Sequence, residues 1–165
     1  MILSKTGSKK IKDILLPIDG SETSMKAARI GISLAKKFGS DLIGLTVIDL
    51  MSLPYGYFLT QPGTSSHDDI LKGKKTEAIK WLDKVEKFTL EALDEPQSGE
   101  IKYRSEIIED PYSRVESAIV SYAESEGVDL IVMGTRGRSG FKRILLGSVA
   151  SGVLLYAHCP VMTVR

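Results

Sequence analysis

The sequence predicts a single α/β domain built on a five-stranded parallel sheet with helices on both faces. Three observations lead there. Five short β-rich runs alternate with longer runs of helical periodicity. A helix fits each connection, and right-handed crossovers between parallel strands then cover both faces. The run Asp129–Met133 (DLIVM) is almost wholly apolar, as a strand buried on both faces should be. The length of 165 residues suits one domain. A chain of that size buries about 70% of its unfolded surface, enough for one good core.

The elements follow in order. Ile11–Ile18 (IKDILLPI) reads as the first strand. Ser21–Phe38 reads as a helix: Met25, Ala28, Ile32 and Ala35 share a face, Ser21 can cap it, Glu22 suits its first turn and Gly39 can end it. Asp41–Ile48 (DLIGLTVI) is the second strand. Residues 50–69 hold Pro54, Gly56, Pro62 and Gly63 and read as a long loop, a functional lid or a mobile segment. Ile70–Leu93 is an amphipathic helix with Ile79, Leu82, Val85 and Phe88 as its expected buried stripe. Residues 95–99 read as a turn, and Ile101–Ile107 as the third strand.

Asp110-Pro111 predicts a helix start, because aspartate accepts orphan amide hydrogen bonds and proline suits the first helical position. That helix runs to Glu126, where Gly127 can stop it. Asp129–Met133 is the fourth strand, Ser148–Ala157 the last helix and Val161–Val164 the last strand. In such sheets ligands sit at the carboxyl ends of strands, where the strand order reverses. The segments to inspect are therefore Pro17–Asp19, Val47–Asp49, Ile107–Asp110 and Met133 onward.

Composition excludes several classes. With 42% hydrophobic and 26% charged residues, the chain is neither disordered nor a collagen. The single cysteine, Cys159, cannot form an internal disulfide, and it reads as a small buried residue before Pro160. No signal-peptide pattern follows the basic start, so the expected location is cytoplasmic. Residues 1–10 are expected to be a flexible, solvated tail before the domain at 11–165. Residues 144–164 lack any charge, but Pro160 divides them into a helix-length and a strand-length piece rather than a membrane span.

The net charge of +1 hides an uneven distribution. All 21 acidic residues fall between positions 13 and 129. The last 36 residues carry five bases and no acid. Four of those bases, Arg136, Arg138, Lys142 and Arg143, lie within one short segment. The acidic body argues against nucleic acid as partner, and the basic segment points to one local anion site.

That segment runs from Met133 through Gly134, Gly137, Gly140 and Gly147 to Ser148, between a buried strand and a helix start. Glycines let a backbone approach a ligand closely, and free amides near Gly147, Ser148 and Val149 suit an anion. The spacing is neither a P-loop nor G-x-G-x-x-G. A phosphate cradle and a structural turn both fit it.

The pattern G-2x-G-9x-G-[ST] at Gly134, Gly137, Gly147 and Ser148 resembles the ATP-binding signature of the universal stress protein family. The opening ILLPIDGSETSMKAA at 14–28, the segment Thr46-Val47-Ile48 and the closing CPVMTVR at 159–165 resemble the family too. The match runs from Ile11 nearly to the end. It implies a Rossmann-like, adenine nucleotide alpha hydrolase-like domain with strand order 3-2-1-4-5. It also implies ATP as the bound cofactor, with or without Mg2+ or Mn2+. Asp19 would hold the ribose or help hold a metal, Pro17 and Ile18 would line the base or ribose side, and Val47 would touch adenine. Met133 and Gly134 would offer backbone near the ribose. Gly137, Gly147, Ser148 and Val149 would cradle the phosphates, with Arg136 adding positive field. A homodimer through the apolar edge strand Val161–Val164 is the implied assembly.

Bland roles remain open beside these. Asp19 also suits a cap for the helix 21–38. Val47 and Met133 also suit core packing. Asp13, Asp19 and Asp49 do not make a phospho-acceptor site, because Asp13 lies early in its strand and no lysine follows Lys142. His67 beside Asp68 and Asp69 lacks further converging ligands for a metal. The aromatics Tyr55, Tyr57, Phe58 and Trp81 are not interleaved with bases, as a stacking platform for single strands would need. No nucleophile–base–acid set stands out, and His158 falls at a helix end. The expectation is an ATP-binding stress-response regulator rather than a fast enzyme. The alternatives are a nucleotide-independent dimeric scaffold and a slow ATP-hydrolysing or AMP-transferring enzyme.

Overall fold

The computed structural model describes residues 10–49, 65–93, 101–110, 113–137 and 146–165, with side chains in the long helix from residue 68 on. Five strands form one parallel sheet: β1 (Asp13–Pro17), β2 (Asp41–Ile48), β3 (Tyr103–Glu109), β4 (Leu130–Gly134) and β5 (Val161–Val164). Their order is β3-β2-β1-β4-β5, as expected. Among the described residues four helices pack around the sheet: α1 (Glu22–Phe38), α2 (Ser65–Leu93), α3 (Val115–Ser125) and α4 (Ser148–Tyr156).

Strand alternation sorts the core into two layers. Ile14 and Leu16 of β1 face α1 and α2, where they meet Ala28, Ile32, Leu82 and Val85. Leu15 faces the opposite way, among Ile43, Ile119, Ile131 and Val153 on the side of α3 and α4. β1 is buried throughout apart from its first residue, Asp13. The chain builds outward from β1 to β3 on one side and then returns to the other side with β4. That reversal leaves a crevice above the carboxyl ends of β1 and β4.

α1 is formed as its sequence suggests. Ser21 in extended conformation caps it by accepting from the Ser24 amide, and Gly39 closes it in left-handed conformation. Several expectations need correction. α2 begins at Ser65, not Ile70, so residues 65–69 of the expected loop are helical; residues 50–64 lie outside the described residues, as do residues 95–99, expected as a turn. The buried positions of α2 are Ala78, Leu82, Val85 and Thr89, with Phe88 packed beside them. Ile79 is 49% exposed, because it sits about 100° around the helix from Ala78.

Asp110 does not start the next helix. It accepts a 2.6 Å bond from the Ser113 hydroxyl, a local turn of its own, and α3 begins five residues later with Arg114 at its N-cap. Pro111 lies outside the described residues. β3 spans Tyr103–Glu109 rather than 101–107, because it pairs in register with β2 up to Ile48↔Glu109. Cys159 is half-buried against the α3–α4 layer rather than fully buried. The uncharged stretch resolves into α4 and β5, and no described helix is long and apolar enough to cross a membrane.

Candidate functional site

A cleft of about 560 Å³ opens at the carboxyl ends of β1, β2 and β4. All eleven residues singled out from sequence line it. Pro17, Ile18 and Asp19 enter from β1, and Val47 from β2. Met133, Gly134, Arg136 and Gly137 come off β4, and Gly147, Ser148 and Val149 from the start of α4. The two halves of the glycine pattern meet directly, since the Gly147 amide donates to the Thr135 carbonyl at 2.7 Å. Gly140 and the basic residues Arg138, Lys142 and Arg143 lie outside the described residues.

Asp19 is fixed by the turn that follows β1. Its Oδ1 accepts from the Ser21 amide at 3.0 Å and from the Ser21 hydroxyl at 2.6 Å. Ser21, not Asp19, therefore caps α1. The other oxygen, Oδ2, faces Gly137: a β-carbon on that glycine would lie 2.8 Å from it. The turn between Asp19 and Ser21 needs Gly20 at φ +80°, and the Trp81 indole of α2 packs against that glycine.

Alanine at position 20 would have to hold a left-handed φ and put its β-carbon within 2.6 Å of the indole nitrogen. Gly20→Ala is expected to cost at least about 1–2 kcal/mol from backbone conformation alone. Urea denaturation of parent and variant checks it.

The far wall depends on close approach of α1 to β4. A β-carbon on Gly134 would meet the Thr23 hydroxyl at 2.7 Å and the Ser24 amide nitrogen at 2.9 Å. The Thr23 hydroxyl donates to the Arg136 carbonyl at 2.6 Å, tying the first turn of α1 to the turn after β4. Met133 is buried and Val47 half-buried, giving the cleft an apolar side with Val115 and Ile119 of α3.

Sequence reasoning missed part of the lining. Thr135 is one such residue. Its side-chain oxygen is buried without a hydrogen-bond partner among the described residues, although its backbone is paired to Val164 and Gly147. Its place inside the Gly134–Gly137 pattern was the available signal. Lys74, Glu77 and Trp81 of α2 also reach the cleft, and Lys74 Nζ donates to the Asp49 carbonyl at 3.5 Å. Their spacing of three and four puts them on one helix face.

The donor set fits a nucleotide better than a protein-held metal. Among the described residues no cluster of three or more His, Cys, Asp or Glu could hold a metal ion. Asp68 and Asp69 are exposed, and the His67 side chain lies outside the described residues. Asp13 lies at the opposite end of the sheet, where burial and then Asp41 and Asp129 push its carboxyl above the usual range.

Comparison with known proteins agrees with the shape. Residues 10–165 match the universal stress protein family. A universal stress protein of Methanocaldococcus jannaschii is 36% identical over 161 residues, covering 98% of this chain and 86% of that protein. A solved structure of another protein from that organism superposes with TM-score 0.70 at 32% identity, covering 94% of this chain and 96% of that one. Two more distant structures share the fold with TM-score 0.64, at 22% and 16% identity over 94% of this chain and 98% and 99% of theirs. One is a universal stress protein in complex with cAMP, the other an Archaeoglobus fulgidus universal stress protein in complex with dAMP.

Proposed function

This chain belongs to the universal stress protein family, and from that we propose that it is an ATP-binding regulatory protein whose nucleotide lies in the cleft above β1 and β4. The observation that carries the reading is the convergence of Gly134, Gly137, Gly147 and Ser148 on one cleft with Asp19. Backbone without side chains on one wall and a carboxylate on the other suit a phosphate chain and a ribose. The adenine nucleotides in two proteins of the same fold support the class of ligand.

In this reading the base lies against Val47, Met133 and the apolar residues of α3. The Asp19 Oδ2 accepts from a ribose hydroxyl, since Oδ1 is already committed to Ser21. Pro17 and Ile18 support the base and ribose from below, with Met133 and Gly134 giving backbone contacts. The amides of Gly137, Gly147, Ser148 and Val149 take the phosphates at the start of α4. Arg136 supplies positive field beside them. Mg2+ or Mn2+ would be held chiefly by the phosphates, with Asp19 as the nearby carboxylate, a usual division for such a cation.

The direct experiment is to purify the protein, denature it and identify released nucleotide by chromatography. Adenine nucleotide in amounts comparable to protein supports the reading. None released, together with no binding on titration, defeats it.

A homodimer through the sheet edge is the assembly this reading supports. β5 is an edge strand with Met162 39% exposed, and Leu155 and Tyr156 beside it on α4 are 72% and 68% exposed. An open apolar edge invites pairing with a second copy. A dimer is expected in analytical sedimentation at tens of micromolar, and Met162→Asp is expected to shift it to monomer. A parent monomer at that concentration would count against the pairing.

A further inference from the structure

We infer that Thr23 is a positioning residue which aims the Gly137 amide at the phosphate side of the cleft. The inference rests on reading the cleft as a nucleotide site, and it adds a residue to which neither the sequence pattern nor the cleft lining assigned a role.

Two hydroxyls at the start of α1, those of Ser21 and Thr23, meet the turn after β4. The Ser21 hydroxyl lies 2.6 Å from Asp19 Oδ1 and 3.4 Å from the Arg136 carbonyl. It has one proton to give, and the shorter contact takes it. Thr23 is the closer donor to the Arg136 carbonyl: its hydroxyl donates to it at 2.6 Å across 113 positions of sequence. Thr23 and Ser21 are themselves 3.3 Å apart, so the two hydroxyls form one patch that serves both walls. Ser21 holds the carboxylate and Thr23 holds the glycine turn.

The consequence comes from peptide geometry. A trans peptide is planar, with its carbonyl and its amide pointing to opposite sides. Pinning the Arg136 oxygen towards α1 turns the Gly137 amide away from α1. Gly147 lies on that side: a β-carbon there would be 3.7 Å from the Arg136 Cα and 4.0 Å from the Gly137 nitrogen. Gly147 is in turn tied to the same turn through the Thr135 carbonyl. The Thr23 hydroxyl thus points the Gly137 amide into the gap between the two glycine segments, where a phosphate oxygen would sit.

Thr23→Val keeps the side-chain shape and removes the donor, and Thr23→Ser keeps the donor. Calorimetric titration of each with ATP and with adenosine tests the role. ATP should bind about fivefold to tenfold more weakly to Thr23→Val, the factor that one lost hydrogen bond is worth. Adenosine, which has no phosphate, should be unaffected, and Thr23→Ser should bind ATP like the parent. Equal weakening of ATP and adenosine, or weakening of neither, overturns the inference. Thr23→Ala carries the same comparison should valine disturb the helix start. If the parent binds no nucleotide, the reading of the cleft fails separately. The NMR chemical shift of the Gly137 amide then still decides, since it senses the hydrogen bond to the carbonyl of its own peptide: a shift in Thr23→Val, and not in Thr23→Ser, supports the tether, and unchanged shifts overturn it.

Discussion

Gly137→Val is expected to weaken ATP binding by on the order of a hundredfold or more, about 2.7 kcal/mol, while leaving the fold intact. The reason is space, not backbone conformation. Gly137 is not among the described glycines with positive φ, which are Gly20, Gly39 and Gly127. It is exposed, and the nearest atom to an added β-carbon is Asp19 Oδ2 at 2.8 Å. A valine there puts three carbons into the gap between the carboxylate and the glycine turn, where the reading places ribose and phosphate. Among the described residues no core group is crowded, so stability should stay within about 0.5 kcal/mol of the parent, as for ordinary surface changes. Calorimetry for binding and a thermal melt without ligand check the two halves. Parent-like ATP affinity would remove Gly137 from the cradle.

The largest effect on stability is expected at Gly134. Valine there places its β-carbon 2.7 Å from the Thr23 hydroxyl and 2.9 Å from both the Thr23 carbonyl carbon and the Ser24 amide nitrogen. Two of these are backbone atoms of a capped helix turn, so no side chain can swing away to make room. β4 cannot yield either, because it is buried along its whole length between β1 and β5. α1 must therefore lift from the sheet. Overpacking of this kind costs about 3 kcal/mol or more. For a chain of this size that corresponds to a fall in Tm of about 6–12 °C. Gly147→Ala is the control: its β-carbon comes no closer than 3.3 Å to the Thr135 carbonyl, so its penalty should be smaller. Urea unfolding of the two variants against the parent measures the difference.

The contrast between these two glycines shows where sequence reading works. Both belong to one spacing pattern, and the pattern alone gave them related roles. Only packing separates Gly134, which lets α1 approach β4, from Gly137, which leaves room for a ligand. The sheet itself was legible because β1, β2, β4 and β5 are short apolar runs with clear punctuation, Gly39 and Gly127 among it. The start of α2 was not, because Ser65, Ser66, His67, Asp68 and Asp69 carry no apolar periodicity. Its buried stripe was misplaced at Ile79 for a related reason. Which face of a long helix meets the sheet is decided by Leu82 and Val85 docking under β2, not by every apolar residue the helix carries. The α2 wall of the cleft escaped for a similar cause: Lys74 and Glu77 read as solvated, and Trp81 as packing, until the tertiary fold sets that helix face along the cleft.

The central claim is that the cleft binds ATP, and calorimetric titration of ATP into protein freed of any nucleotide tests it most directly. The account predicts saturable binding of one ATP per chain with micromolar affinity, about −8 kcal/mol. That binding should be weakened on the order of a hundredfold or more in Gly137→Val, and strongly weakened in Asp19→Ala. No heat of binding at millimolar ATP, or variants that bind as the parent does, would contradict it.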